Sequence, residues 1–204
     1  MKVALIDYGA GNLRSVANAL KALGQEPAVV ANAAQLGDAT HLLLPGVGSF
    51  GDCMAQLEER GLANLICDWV TAGRPYLGIC LGYQILFDSS DESPGVAGLG
   101  LFRGKVKRFD DVPGVKIPHM GWNAARPVRA NLKHWSGLGE TPYFYFVHSY
   151  FPVPENDSIV ASRTDYASEN FASSIESGAV LACQFHPEKS QDAGLRLMGN
   201  FLGL

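Results

Sequence analysis

Apolar residues in the first half of the chain fall into two alternating patterns. Val3 to Ile6 is a short, continuous apolar run, the signature of a strand buried on both faces. After Asp7-Tyr8-Gly9-Ala10-Gly11, Asn12 stands in a capping position, Leu13, Val16, Ala17, Leu20 and Leu23 recur at the helical period, and Gly24 ends the run. The alternation then repeats. Ala28 to Val30 and Leu42 to Leu44 read as strands, Gly51 to Arg60 and Leu62 to Thr71 as helices, and Pro75 to Cys80 as a strand passing into a helix over Leu81 to Phe87. Strands separated by helices predict parallel pairing through right-handed crossovers, with functional residues at the carboxyl ends of the strands.

Beyond Asp88 the texture changes. Asp88 to Gly100 is acidic and rich in Gly and Pro, a loop; strand-like segments follow at Leu101 to Phe109, Val115 to Ile117, Asn123 to Val128, Tyr143 to Tyr150, Ile159 to Arg163 and Val180 to Phe185. Their spacing leaves no room for crossover helices, so they are expected as antiparallel additions. An amphipathic helix from about Asp192 to Phe201 closes the chain. With no repeat, low-complexity tract or linker, residues 1–204 are expected to form one α/β domain around a central, mostly parallel sheet.

Composition adds exclusions. A chain of 204 residues with 47% hydrophobic and 18% charged positions can bury a substantial core, and a net charge of −4 offers no footprint for nucleic acid or an anionic membrane. No apolar run approaches the roughly 18 residues of a spanning helix, and the start is too short for a secretory signal. A soluble, cytoplasmic protein is expected, with no nucleic-acid or membrane partner. The four cysteines, Cys53, Cys67, Cys80 and Cys183, include no Cys-x-x-Cys pair, which argues for a reducing compartment and against a zinc ribbon. Cys53, Cys67 and Cys183 sit in helix or strand patterns and read as structural.

Cys80 differs. Gly78-Ile79-Cys80-Leu81-Gly82 joins strand to helix with a small residue on each side of a nucleophile, the pattern of a nucleophile elbow with sulfur in place of oxygen. A helix start there would favour thiolate. In Gln184-Phe185-His186-Pro187-Glu188, Pro187 holds His186 out of helical space, and an extended tripeptide lets His186 and Glu188 face one way. A thiol needs a base, and the base gains from a carboxylate that fixes its tautomer. Inert packing for the cysteine and a structural role for the histidine are the bland alternatives. A metal site built from Cys80, His186, Glu188 and His148 is the competing chemistry, though it lacks local ligand spacing.

These two segments resemble the signature of the class I (triad) glutamine amidotransferases, whose fold is a three-layer flavodoxin-like one. Three further stretches narrow the resemblance: Asp7 to Ser15; Pro45-Gly46-Val47-Gly48-Ser49-Phe50; and Pro118-His119-Met120-Gly121-Trp122-Asn123 with Tyr145-Phe146-Val147-His148-Ser149-Tyr150. Over essentially the whole chain, the likeness is to the glutaminase subunits of imidazole glycerol phosphate synthases. Subunits serving anthranilate, aminodeoxychorismate or pyridoxal phosphate synthesis are the neighbouring possibility, and a non-catalytic scaffold with the same fold is the more distant one.

The resemblance implies that Cys80 attacks the carboxamide carbon of L-glutamine, His186 shuttles the proton and Glu188 orients it. It implies an oxyanion hole from the amides of Leu81 and Val47, and glutamine contacts from Gly48, Gln84, Ser149 and Tyr150. Glycines on both sides of Val47 suggest a peptide that rotates, a switch offering its amide only when the acceptor site is filled. Tyr83, where methionine is the commoner residue, is expected to flank the glutamine pocket. No cofactor or metal is implied. The partner is a (β/α)8-barrel cyclase subunit, forming a heterodimer that contacts Asn12, His119, Met120, Trp122 and Tyr145; for Trp122 core packing is the alternative. The basic run Arg103 to Arg108 reads first as a solvated strand face and second as a dock for an acidic rim.

Overall fold

The computed structural model describes residues 1–9 and 12–204. Ala10 and Gly11, within the Asp7-to-Ser15 segment, lie outside the described residues. The first half alternates as expected through β1 (Val3–Ile6), α1 (Leu13–Ala22), β2 (Ala28–Val30), β3 (His41–Gly46), α2 (Phe50–Glu59), α3 (Leu62–Thr71), β4 (Tyr76–Cys80) and the one-turn α4 (Leu81–Gln84). The second half contributes β5 (Ser89–Ser90), β6 (Gly104–Arg108), β7 (His119–Ala124), β8 (Arg126–Pro127), β9 (Tyr143–His148), β10 (Tyr150–Pro154), β11 (Val160–Tyr166), β12 (Glu169–Ser177), β13 (Val180–Cys183) and α5 (Gln191–Leu202).

The main sheet has the order β2-β1-β3-β4-β13-β12-β11-β8. Its first five strands are parallel and the last three antiparallel, which is the flavodoxin-like order extended on one side. The parallel strands are apolar without alternation because helices cover both faces. Leu5, Leu43, Leu77 and Leu181 face Val16, Leu20, Leu197 and Phe201 of α1 and α5. Ile6, Leu44, Tyr76 and Ala182 face Phe50, Leu57, Ile66 and Trp69 of α2 and α3. Two smaller sheets, β10-β6-β5 and β7-β9, stand beside this core.

Three expectations are corrected. Val180 to Phe185 is not a purely antiparallel addition: β13 is antiparallel to β12 but parallel to β4, with Cys183 opposite Ile79. The expected antiparallel character holds on the β12 side only; the parallel pairing with β4, which spans about half the chain, leaves no mark in the local sequence. Strand β12 was missed because its centre, Ala172-Ser173-Ser174, is small and polar; those serines are buried, and Ser162 Oγ is within hydrogen-bonding distance of both hydroxyls, at 2.9 and 2.7 Å. Val115 to Ile117 forms no strand. In β6, Val106 is buried between the more exposed Lys105 and Lys107, with Arg108 exposed, so the basic run is chiefly a solvated face.

Candidate active site

Strand β4 ends at Cys80 with φ 55 and ψ −105, a left-handed conformation that costs a non-glycine residue about 1–3 kcal/mol and persists only where its surroundings enforce it. The flanking glycines make room for it. A Cβ on Gly78 would overlap the carbonyl oxygen of Gly82, and one on Gly82 would overlap the carbonyl oxygen of Leu44. The helix that follows is shorter than expected, Leu81–Gln84 rather than a run to Phe87. One turn of aligned peptides carries little dipole, so the electrostatics of Cys80 rest on its side-chain neighbours.

The chief neighbour is His186. The His-Pro-Glu segment is extended only at His186; Pro187–Lys189 is a 3-10 turn. That turn brings His186 Nδ1 to 2.8 Å from Glu188 Oε1, where it donates and leaves Nε2 for the thiol. Nε2 is buried without a hydrogen-bond partner. Burial by itself would lower the basicity of His186, but Cys80 and Glu188 more than offset it and raise the imidazole to about 10. Asn12 Nδ2 donates to the same Glu188 oxygen at 3.4 Å, and the backbone of His186 is pinned to Tyr145 by a 2.9 Å bond.

Cys80, Leu81 and His186 open on a cavity of about 320 Å³ that is also lined by Val47, Gly48, Gln84, Ser149 and Tyr150. Four separate stretches of sequence thus bring together every residue expected to contact glutamine; Glu188 stands behind His186. Tyr83 does not reach it. The ring is fully buried and its hydroxyl donates to the Ala172 carbonyl at 3.3 Å, because it points to the opposite side of the short helix from Gln84.

Three residues in or around the cavity carried no assigned role in the sequence. Tyr8 Oη lies 3.2 Å from both the amide nitrogen and the carbonyl oxygen of Val47, so the Val47 N–H donates to the hydroxyl instead of the cavity. Glu92 is the single carboxylate on the cavity wall, where it accepts from the Phe50 amide at 2.7 Å. Gln184 is fully buried; its Nε2 is 3.5 Å from Cys80 Sγ and its Oε1 accepts from Gln84 Nε2 at 3.1 Å. Tyr8 and Gln184 were within the motifs, but their contacts depend on strand order; Glu92 was hidden in an acidic loop.

The expected partner-facing residues divide. Met120 and Trp122 are 63% and 47% exposed on one face of β7, and Trp122 pairs across the ladder with the half-buried Tyr145, their rings in edge contact at 6.3 Å. Asn12 is half-buried. His119 is corrected: it is 2% exposed and stacked on Phe146 and Tyr166, so it supports the patch from beneath and presents no surface. Its Nδ1 donates to His148 Nε2 at 3.1 Å, and His148 Nδ1 donates to the Tyr150 carbonyl at 2.8 Å. Burial keeps both imidazoles neutral, well below the ordinary histidine range. With both nitrogens of His148 occupied and Nδ1 of His186 bound to Glu188, the four-residue metal site has no support; among the described residues no group of three or more ligating side chains is arranged for a metal.

The site is thus an elbow cysteine beside a carboxylate-bound histidine, on a sheet of this order. The family model of the class-I glutamine amidotransferases matches residues 4–202, and the chain belongs to that family. Within it, the chain is 46% identical to imidazole glycerol phosphate synthase subunit HisH of Thermosynechococcus vestitus, over 99% of this chain and 96% of that one. It is 50% identical to the HisH subunit of Methanothermobacter thermautotrophicus, over 98% and 97%. The solved structure of PurLQS from Thermotoga maritima shares the fold at 24% identity, with a TM-score of 0.77 over 99% of this chain and 97% of that one.

Proposed function

We propose that residues 1–204 form the glutaminase subunit of an imidazole glycerol phosphate synthase. It hydrolyses L-glutamine to L-glutamate and ammonia and passes the ammonia to a cyclase subunit that makes imidazole glycerol phosphate and aminoimidazole carboxamide ribotide. The observation that carries the chemistry is the His186–Glu188 bond at 2.8 Å behind a strained Cys80. On this reading Cys80 gives its proton to His186 Nε2 as it attacks. The thiolate adds to the carboxamide carbon, the N–H groups of Leu81 and Val47 receive the oxyanion, and His186 Nε2 gives its proton to the departing ammonia. Water then opens the thioester with His186 as base. The cavity accepts a free amino acid: Glu92 meets the α-ammonium, Ser149 and the neighbouring Tyr150 meet the α-carboxylate, and Gln84 the side chain.

An oxyanion donor is worth about 3–4 kcal/mol when removed. In this structure the Val47 N–H is spent on Tyr8, which supports a resting state with one donor of two. Gly48, at φ 103, permits the peptide rotation that would release it. We assign that rotation to docking of the (β/α)8-barrel cyclase on Asn12, Met120, Trp122 and Tyr145. Ammonia released to water at neutral pH is protonated and lost as a nucleophile, which favours a partner seated over the cavity and a shared, cytoplasmic heterodimer. No described helix is long and apolar enough to cross a membrane. The test is co-purification with a candidate cyclase, then glutamate release with and without its ribotide substrate. Glutamate release tied to the cyclase supports the reading. Failure of a diazo glutamine analogue to label Cys80 even in the complex refutes it.

A further inference from the structure

Parallel pairing of β13 with β4 sets Cys183 opposite Ile79, so the next residue on each strand, Gln184 and Cys80, stand side by side. The elbow turns the sulfur out of the strand, and Gln184 follows it: Nε2 lies 3.5 Å from Sγ. The rest of the Gln184 amide is committed. Its Oε1 accepts from Gln84 Nε2 at 3.1 Å, its backbone N–H donates to the Ser173 carbonyl at 2.9 Å, and the residue is fully buried. Gln84 in turn lines the cavity and donates to the Tyr150 carbonyl at 3.0 Å.

We infer that Gln184 is a further catalytic residue, a fixed N–H donor to the Cys80 thiolate that links the nucleophile to occupancy of the glutamine site through Gln84. This rests on the glutaminase reading. The two amides point the same way, Gln84 N–H to Gln184 C=O and Gln184 N–H to sulfur, and hydrogen bonds in such a chain polarise one another. A substrate donor arriving on the free carbonyl of Gln84 increases the polarity of each link and strengthens the last N–H···S bond as the thiolate is about to react. His186 faces the sulfur as the cation; Gln184 provides a neutral donor that does not change charge when His186 gives up its proton, so the sulfur keeps one partner through the whole cycle. The other titratable groups close enough to feel the charge on the sulfur are the buried Tyr8 and Cys183.

The test is the pH dependence of Cys80 alkylation by iodoacetamide in the full chain. Gln184→Met keeps the volume and removes the donor, a change that a buried site tolerates well. A hydrogen bond to a charged group is strong enough that its loss moves the alkylation midpoint upward by about one pH unit and cuts the rate below that midpoint about tenfold. Gln184→Glu, which keeps the shape and adds a negative charge, moves it further. An unchanged midpoint in a folded variant overturns the assignment. Should neither variant fold, the side-chain amide protons of Gln184 in the wild-type protein decide: their NMR shifts follow the Cys80 titration and stop doing so in Cys80→Ser, and shifts independent of Cys80 overturn it equally. If wild-type protein hydrolyses no glutamine with the cyclase present, the glutaminase reading itself fails, an outcome separate from any effect at Gln184.

Discussion

Tyr8→Phe removes one oxygen atom from a ring that is 1% exposed and leaves the packing in place. That oxygen makes two contacts, accepting from the Val47 N–H and donating to the Val47 carbonyl, each at 3.2 Å. At roughly 1 kcal/mol net per hydrogen bond, the resting orientation of the Val47 peptide loses about 2 kcal/mol relative to any rotated one. A bias of that size is about a thirtyfold change in the ratio of the two orientations. It is an upper bound, because Val47 is 39% exposed and water can replace part of what the hydroxyl supplied. The expected result is a rise in glutaminase turnover without partner, by about three- to thirtyfold, seen in kcat and little in KM, since the gain is a donor to the transition state. The ratio of stimulated to basal rate narrows accordingly. Glutamate release under saturating glutamine, with and without the cyclase and its ribotide, measures both. A folded Tyr8→Phe protein with an unchanged or lower basal rate refutes the latch.

Glu188→Gln keeps the shape but removes the charge that helps hold His186 near 10; kcat is expected to fall on the order of 10³-fold, with the alkaline limb of the rate profile moving to lower pH. Glu92→Gln should raise KM for glutamine about tenfold with kcat nearly preserved, and an effect confined to kcat would remove Glu92 from the ammonium site. Gly82→Ala places a methyl group on the Leu44 carbonyl, a backbone collision that no rotamer relieves; little soluble, folded protein is expected, and a normal circular dichroism melt would contradict the account of the elbow. The His119–His148 pair gives a pH signature. Both are held neutral in the fold below their ordinary 6.5, so the unfolded chain takes up protons first: the stability is complete above about pH 6.5 and declines as pH falls below it. Thermal melts from pH 7.5 to 5 should show a falling Tm that flattens in His148→Gln.

Periodicity made the first half of the molecule legible because each of its elements is recorded locally: Val3 to Ile6 apolar throughout, α1 periodic and closed before Gly24, β3 and β4 short and apolar between helices; the expected cap is the exception, since the Asn12 side chain makes no capping bond and turns to Glu188. Cys80, His186 and Glu188 were readable for the same reason, each carried by a short motif whose chemistry needs neighbours two to four residues away. What stayed hidden depends on pairing between distant strands. Gln184 meets Cys80 only because β13 lies parallel to β4, and nothing within either segment states that register. Tyr8 reaches Val47 because β1 neighbours β3. β12 escaped because its buried serines satisfy one another, so their polarity reads as loop in one dimension and as core in three. His119 misled in the opposite sense: a polar residue beside the exposed Met120 belongs to the other face of the strand, as the two-residue period of β7 requires.

One connection gathers the controls. Tyr8, after β1, holds the Val47 peptide, and Asn12, before α1, donates to Glu188. Both ends of the same short link therefore touch the site, one at the oxyanion side and one at the base. On the opposite flank the Trp122–Tyr145 pair joins β7 to β9; the Tyr145 carbonyl anchors the His186 backbone, while Ser190 Oγ receives the Tyr145 N–H and donates to the His186 carbonyl. On the proposed reading, a protein resting on Asn12 and Tyr145 would meet residues bonded to Glu188 and to the His186 backbone, without touching Cys80. The elbow itself is closely packed: the Gly78 and Gly82 backbones lie so near the Gly82 and Leu44 carbonyls that neither has room for a side chain. The sulfur sits on a tightly packed backbone turn, whereas the Val47 amide is held by one hydroxyl and flanked by glycines, which makes it the part of the site with freedom to move.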